Sequence, residues 1–334
     1  MQYPLIMFST NSGHLLLLGM GGTIAGLASD PNKPLAYQAG QISVAELLHE
    51  SGLESDIGEV QAIQVANIDS RHMSEDLLIK LGWAVKEGLE DEAVTGIVIT
   101  HGTDTMEETG VFLHATLGKL ASHYKKAVVL TGAMLPSNAD HADGPLNLRA
   151  ALYLAKEAKD TEQYGILAVM AGKPCLAREL SKQHTHALDA LVANARELDG
   201  PIHKRQADLS LPGEAEWPWV EIVTSHGGAR GELVDALVAQ GVEGIVIAGT
   251  GQGSVNRVLA EKLVWAAQMG IAIVRSSRTG AGAVFSEIPE PDTEWNWLSA
   301  RDLSPPKARI ALQLALLEAN SRKTEDWQSI FATI

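Results

Sequence analysis

Short apolar runs alternate along the chain with longer segments in which apolar residues recur at helical spacing. The runs are rich in leucine or β-branched residues, each ends at a glycine or a small polar residue, and they cover residues 15–18, 96–100, 127–131, 165–171, 220–224, 244–248 and 271–277. Runs that are apolar on both faces are typical of strands in a parallel sheet covered on both sides. Between them, the helical spacing predicts helices over residues 74–89, 144–158 and 254–268.

This alternation of strands and helices predicts an α/β fold with a doubly wound, mainly parallel sheet. It lapses over residues 205–219, "RQADLSLPGEAEWPW", where prolines and a glycine interrupt the pattern. We therefore predict an N-terminal domain over residues 1–204, a linker over 205–219 and a smaller α/β C-terminal domain over 220–334. A length of 334 residues agrees with two domains.

Charge and cysteine content exclude several classes of protein. The formal net charge of −15 argues against a nucleic-acid surface, which needs clustered Lys and Arg. Cys175 is the single cysteine, so an intrachain disulfide and a multi-cysteine metal site are both excluded. No run approaches the roughly 18 apolar residues of a membrane span, and the N-terminus lacks the basic segment of a signal peptide. We expect a cytoplasmic protein with no nucleic-acid or membrane partner.

Two turns that follow predicted strands place a glycine directly before a threonine: Gly22-Thr23 in "GMGGTIAG" and Gly102-Thr103 in "ITHGTDTMEETG". In an open α/β sheet, ligands bind at the carboxyl ends of the strands. Neither nucleotide motif is complete, because Ile24 replaces the third glycine of G-x-G-x-x-G and no G-K-[ST] follows as in a P-loop. The glycines would let the backbone approach a ligand while a hydroxyl is exposed.

Some of these polar residues also fit helix-capping or metal-binding patterns. Thr105 and Glu108 fit a helix capping box, and Asp104 is a second candidate cap, but capping does not require residues 101–104 together. The pair His184-x-His186, and His141 between aspartates, suggest metal ligands. Because neither has a third ligand at a fixed spacing, we expect no metal or cofactor.

Together, the two threonine turns resemble the paired signature of the bacterial-type L-asparaginases. Further segments follow in the family's order, so that the resemblance covers essentially the whole chain: residues 65–73, 128–152 and 177–185, "GIVIAGTGQGSV" and "IVRSSRTGAG". The resemblance implies hydrolysis of L-asparagine to L-aspartate and ammonia through a threonine acyl-enzyme, with L-glutamine as a further substrate. It also implies a homotetramer whose sites lie between subunits.

The resemblance implies roles for five catalytic residues. Thr23 would be the nucleophile, assisted by Tyr37 from a loop whose glycines and prolines suit a mobile lid. Thr103, Lys182 and Asp104 would form a second set, in which the lysine tunes proton transfer and the carboxylate holds an ammonium group.

It also implies a set of substrate-binding residues. Asp104 would hold the substrate α-ammonium and Ser70 its α-carboxylate, and a backbone acceptor at Ala133 would meet the side-chain amide. The full predicted set is Gly22, Asp69, Ser70, Arg71, Gly102, Thr103, Asp104, Ala133 and Glu287.

The chain departs from the family pattern at a few positions. Arg71 stands where many secreted members carry glutamine, which would shift substrate preference. Neighbouring subunits commonly contribute an asparagine and a glutamate; here the turn 249–254 holds no asparagine before Asn256, and Glu287 is the glutamate candidate.

Two other functions stay open. An ammonia-releasing subunit of a tRNA-dependent amidotransferase would normally carry an extra N-terminal domain, whereas only some twenty residues precede Thr23. A silent binding or regulatory homologue would be expected to lose at least one of the catalytic residues, and all are present.

Overall fold

A computed structural model describes residues 13–30, 35–193, 207–213, 217–322 and 326–334. In chain order its strands are β1 His14–Gly21, β2 Leu27–Ala28, β3 Tyr37–Gln38, β4 Val60–Ile68, β5 Val94–Thr100, β6 Ala127–Thr131, β7 Gly165–Met170, β8 Lys173–Leu176, β9 Leu180–Lys182, β10 Leu191–Ala193, β11 Val220–Thr224, β12 Gly244–Gly249, β13 Ala272–Ser277 and β14 Trp297–Ser299.

The helices are α1 Val44–Ser51, α2 Glu54–Ile57, α3 Glu75–Glu90, α4 Met106–His123, α5 Gly144–Thr161, α6 Glu232–Ala239, α7 Arg257–Gln268, α8 Asp292–Trp295, α9 Pro305–Arg322 and α10 Trp327–Phe331. Single 3₁₀ turns cover Thr23–Ala25, Ser70–His72 and Ala177–Glu179. None of these described helices combines the length and the apolar character needed to cross a membrane.

The N-terminal sheet has the strand order β4-β1-β5-β6-β7-β8, and only β8 runs antiparallel to its neighbour. Successive leucines of β1 point to opposite faces: Leu16 and Leu18 join the core cluster that includes α3 and α4, and Leu15 and Leu17 join the cluster that includes α1 and α5. The double-sided burial explains the continuous apolar runs. The predicted mainly parallel α/β fold is confirmed.

The C-terminal sheet, β11-β12-β13-β14, is parallel throughout. Helices α6 and α7 cover one face. Helix α9 covers the other face and belongs to the same core cluster as α4 of the N-terminal part. The two sheets are therefore joined through a shared core rather than only through a linker. Residues 205, 206 and 214–216 of the predicted linker, and 194–204 before it, lie outside the described residues.

The predicted turn after residue 18 is wrong in one respect. Strand β1 continues through Gly19 to Gly21, with an irregular register against β4 between these two glycines. A Cβ atom on Gly19 would lie 2.5 Å from the Cβ of Val44, so this glycine lets a helix pack on the strand. The turn itself begins at Gly22.

Candidate active site

The turn after β1 positions Thr23 through a backbone conformation that only glycine adopts readily. Gly22 has φ 82° and ψ −171°, and its N–H donates to the Ile68 carbonyl at 2.8 Å. A Cβ atom on Gly22 would lie 2.5 Å from the Cα of Gly102. The two glycine-threonine turns thus contact each other backbone to backbone, and Thr23 follows at the start of a 3₁₀ turn, buried except for 6% of its surface.

His101 fixes the turn after β5. Its Nδ1 donates to the Gly102 carbonyl at 2.7 Å, which leaves Nε2 to accept from the Thr109 hydroxyl at 3.0 Å. Complete burial lowers the pKa of His101 to about 4, so that the imidazole is neutral and both bonds are made. A histidine at the end of β5 therefore has a positional role in shaping the turn.

The helix capping box, which is the structural alternative for Thr105 and Glu108, does not form. Thr105 is the N-cap residue of α4, but its hydroxyl makes no capping bond and instead donates to the Ser70 carbonyl at 2.9 Å. Ser70 packs so closely on Gly102 that a Cβ atom there would lie 2.5 Å from the Ser70 Oγ. The Thr105 bond joins the segment of residues 67–73 to the second threonine turn.

The antiparallel pairing of β2 with β3 places Tyr37 next to Thr23. Ala28 of β2 pairs with Tyr37 of β3, and the Gly40 N–H donates to the Gly22 carbonyl at 3.2 Å. The phenol oxygen of Tyr37 lies 2.7 Å from the Thr23 Oγ1. Residues 31–34 of the predicted lid lie outside the described residues, and the mobility of this loop stays a prediction.

Lys182 makes the corresponding contact with the second threonine. Its Nζ donates to Thr103 Oγ1 at 3.0 Å and to Asp104 Oδ1 at 2.5 Å. The lysine side chain is 19% exposed and that of Asp104 is 58% exposed, so the ion pair opens to solvent on the aspartate side.

These side chains surround one cavity of about 180 Å³. Nine of the predicted site residues line it: Gly22, Thr23, Tyr37, Asp69, Ser70, Gly102, Thr103, Asp104 and Lys182. Two hydroxyl groups therefore face one space, and each is hydrogen-bonded to a titratable side chain. A hydroxyl paired with a group that can exchange its proton is the arrangement that nucleophilic and general acid–base catalysis requires.

Three predicted site residues do not line the cavity. Arg71 turns outward and pairs with Asp69, and the bond from Arg71 is the main cause that lowers the pKa of the Asp69 carboxyl. Ala133 is fully buried in the core. Glu287 follows β13, where its carboxylate accepts from the backbone N–H of Thr293 at 3.0 Å.

Sequence reasoning misses five residues that line the cavity: Leu35, Ala39, Met134, Thr185 and His186. In the sequence the histidine pair suggests only a metal pattern; in the structure the rings of His184 and His186 stack edge to face, with centroids 4.6 Å apart. Across the described residues, no group of three or more His, Cys, Asp or Glu is placed to hold a metal ion. The one sequence signal for Thr185 and His186 is that they closely follow Lys182 along the chain.

Comparison with known protein families gives two matches that together cover most of the chain. Residues 14–211 match the N-terminal asparaginase domain, and residues 219–331 match the glutaminase/asparaginase C-terminal domain.

Individual proteins are similar over nearly their full length. The glutaminase-asparaginase of Acinetobacter glutaminasificans is 33% identical, covering 93% of this chain and 97% of that protein. L-asparaginase 2 of Escherichia coli is 34% identical, covering 95% of this chain and 92% of that protein. The crystal structure of a probable cytoplasmic L-asparaginase from Campylobacter jejuni superposes with a TM-score of 0.85 at 33% identity, covering 96% of this chain and all of that one.

Proposed function

Because the chain belongs to the asparaginase/glutaminase family of amidohydrolases, we propose that it hydrolyses L-asparagine to L-aspartate and ammonia through an acyl-enzyme on Thr23, with L-glutamine as a secondary substrate. One observation carries this proposal. Two threonine hydroxyls face a single cavity, one 2.7 Å from a tyrosine phenol and the other 3.0 Å from a lysine ammonium.

We assign the first half-reaction to the Thr23–Tyr37 pair. Thr23 Oγ1 attacks the side-chain amide carbon, its proton passes by way of the Tyr37 oxygen towards the amide nitrogen, and the C–N bond breaks to release ammonia. In the second half-reaction, water attacks the ester, L-aspartate leaves and Thr23 regains its proton. Thr103, bound to Lys182, orients the groups that exchange protons in these steps.

We assign the substrate's charged ends by the family's roles. Asp104, at the exposed end of its ion pair with Lys182, holds the α-ammonium, and Ser70, buried beside Gly102, holds the α-carboxylate. Asp69 and Arg71 sit at the rim of this subsite as an ion pair, which leaves the net charge of the rim near zero. A cavity of about 180 Å³ favours an amino-acid amide over a longer chain.

The test is ammonia release from L-asparagine and from L-glutamine by the wild type, Thr23→Ala and Thr103→Val. We expect asparagine turnover in the wild type and a loss of about 10³-fold or more in each variant. Thr23→Ser is the matched control, because it keeps a hydroxyl and should retain measurable turnover. A folded wild type that releases no ammonia from either amide would overturn the proposal and favour a silent or partner-dependent homologue.

We also propose a homotetramer in which Glu287 completes the cavity of a neighbouring subunit. Its support is that Glu287 lies outside the cavity of its own chain. Light scattering tests the tetramer. Mixing and refolding Thr23→Ala with Glu287→Ala chains should restore part of the activity that each lacks alone, and no restoration would contradict the assignment.

The compartment and the domain limits are proposals too. A chain with one cysteine suits the reducing cytoplasm, which cell fractionation tests. For domains over residues 1–204 and 220–334, brief proteolysis should cut first between these limits.

A further inference from the structure

Lys182 stands between two open spaces. It lines the candidate active-site cavity on one side and, on the other, a cavity of about 310 Å³ whose walls include Glu107, Ser277 and Arg278. Its strand, β9, is three residues long and, among the described residues, pairs only with β10. Leu180 at the start of β9 is buried in the core, but Lys182 at its end lies between the two cavities, so hydrogen bonds to the backbone of this segment help to fix the position of Lys182.

Lys307 supplies two such bonds from helix α9. Its side chain is 1% exposed, and its Nζ donates to the carbonyl oxygens of Arg178 and Leu180, each at 3.1 Å. These carbonyls precede Lys182 by four and two residues. A buried ammonium thus holds the backbone that leads into Lys182.

Glu107, in the first turn of α4, connects the start of α9 to the second threonine turn of the site. Glu107 accepts from Ser304, the residue before α9, at 3.2 Å. The α4 turn follows directly after Thr103 and Asp104. The start of α9 is therefore connected to both the segment that carries Lys182 and the turn that carries Thr103.

A lysine is a costly residue in this place. Burial lowers the pKa of Lys307 to about 8, with the charges of Glu107 and Glu179 acting against that shift and Arg178 adding to it. A methionine of similar length would fill the space without desolvating a charge. Core packing alone does not account for the amine, whereas its two carbonyl bonds do.

We propose that Lys307 is a positioning residue, which holds the Lys182 ammonium against Thr103 by fixing the carbonyls of Arg178 and Leu180. The inference rests on the proposed function in one respect, namely that catalysis uses the contact between Lys182 and Thr103.

Lys307→Met tests it, with Lys126→Met as the matched control. Lys126 is also buried and also donates to backbone carbonyls, those of Gly88, Leu89 and Asp91, but these lie at the end of α3, away from the site. At equal folded concentration, we expect Lys307→Met to lower kcat for L-asparagine about 10- to 100-fold with KM little changed. Lys126→Met should keep kcat within about twofold.

A double-variant comparison separates positioning from general damage. If Lys307 acts through Lys182, adding Lys307→Met to Lys182→Met should change the residual kcat by less than about twofold. A full multiplicative loss in that background would overturn the inference. So would an unchanged kcat in Lys307→Met.

A second readout does not depend on activity. Competitive acetylation of the folded protein, quantified by peptide mass spectrometry, reports the reactivity of the Lys182 amine. We expect it to rise several-fold in Lys307→Met and to stay unchanged in Lys126→Met; an unchanged rate in both overturns the inference.

If the wild type releases no ammonia, the proposed function fails while acetylation still decides the positioning role. If Lys307→Met does not fold, Lys307→Gln, which keeps an N–H donor, takes its place with an intermediate rise expected, and an unchanged rate again overturns the inference.

Discussion

Strands of both the N-terminal and the C-terminal sheet lead into a glycine-threonine turn, yet only the turns of the N-terminal sheet line a candidate active site. In the N-terminal sheet, the hydroxyls of Thr23 and Thr103 bond to Tyr37 and Lys182. In the C-terminal sheet, Thr250 follows Gly249 in the same way, but its hydroxyl donates to the Ser254 carbonyl at 3.3 Å. A phenol or an amine exchanges protons in catalysis, and a backbone carbonyl does not. The turns of the two sheets are alike in sequence, and they differ in the hydrogen-bond partner of the threonine hydroxyl.

In the C-terminal sheet, the charged pair at the carboxyl ends of the strands is buried, although the residues that follow β13 line the cavity of about 310 Å³. Arg275, fully buried, donates to the carbonyls of Gln252 and Phe285 at 2.9 and 3.0 Å, and its charge is neutralised by Asp292 at 2.5 Å. In the N-terminal part of the chain, the charged pair of Lys182 and Asp104 borders a cavity. One ion pair is enclosed by the protein, and the other borders a cavity.

The largest expected effect comes from breaking the buried ion pair of the C-terminal sheet. Asp292→Ala leaves a buried guanidinium without its counter-ion, and we expect the free energy of unfolding to fall by about 4 kcal/mol. Glu261→Ala, which removes an exposed ion pair with Arg257, should cost less than about 0.5 kcal/mol. Denaturant unfolding measures both, and equal losses would contradict the distinction.

Next comes the contact between the two N-terminal turns. In Gly22→Ala, the new Cβ atom would meet the Gly102 backbone at 2.5 Å, so we expect a loss of about 3 kcal/mol together with most of the activity. Gly228→Ala is the control, because Gly228 has φ 73° but no atom of the described residues lies within 4 Å of the added Cβ. It should cost about 1 kcal/mol. Similar denaturation midpoints for the two variants would show that the contact is not rigid.

Tyr37→Phe removes the phenol oxygen beside Thr23 and sharpens the comparison of hydroxyl partners. We expect kcat for asparagine to fall about 100-fold, while stability changes by about 1 kcal/mol at most. Tyr153→Phe, at a tyrosine in α5 that stacks on Arg149, should leave kcat unchanged. An unaltered kcat in Tyr37→Phe would contradict the role assigned to the phenol.

The smallest effect concerns the charges where α9 meets α4. Burial raises the pKa of Glu108 to about 7, aided by Glu107 and Glu75 and opposed by Arg309. Since the folded state binds this proton more tightly, the stabilisation is complete below about pH 4.5 and is lost as the pH rises to about 7.

Between pH 5 and pH 8, the wild type should therefore lose about 2 kcal/mol that Glu108→Gln does not lose. Urea unfolding at the two pH values measures the difference. Parallel losses in the two proteins would show that Glu108 is not the group responsible.

The sequence predicts strands best where both faces are buried. Strand β6, which is buried along its whole length, has the predicted bounds, because its apolar run ends where the chain leaves the core. Strand β11 also has the predicted bounds, although it is a half-buried edge strand. Strand β4 is not predicted, since it lies at the edge of its sheet and alternates polar with apolar residues. Helix α9 is also missed, although prolines in its first turn are a known start signal.

For the site, the strand-end turns point to Thr23 and Thr103 without any structure. The partners Tyr37 and Lys182 come only from the family resemblance, since they lie 14 and 79 residues away along the chain. Thr185 and His186 closely follow Lys182 in the chain, but no sequence pattern shows that this loop forms a wall of the cavity. Close approach of distant segments is decided by tertiary packing.

The backbone contact between Gly22 and Gly102 has a consequence for protein engineering. With no side chain between the turns, the floor of the cavity cannot be widened or narrowed by exchanging residues there. Changes in substrate size have to be made in the outer wall, where Leu35, Ala39 and Thr185 contribute side chains. The side of the cavity formed by the backbone is thus closed to redesign, and the side formed by side chains is the part that design can alter.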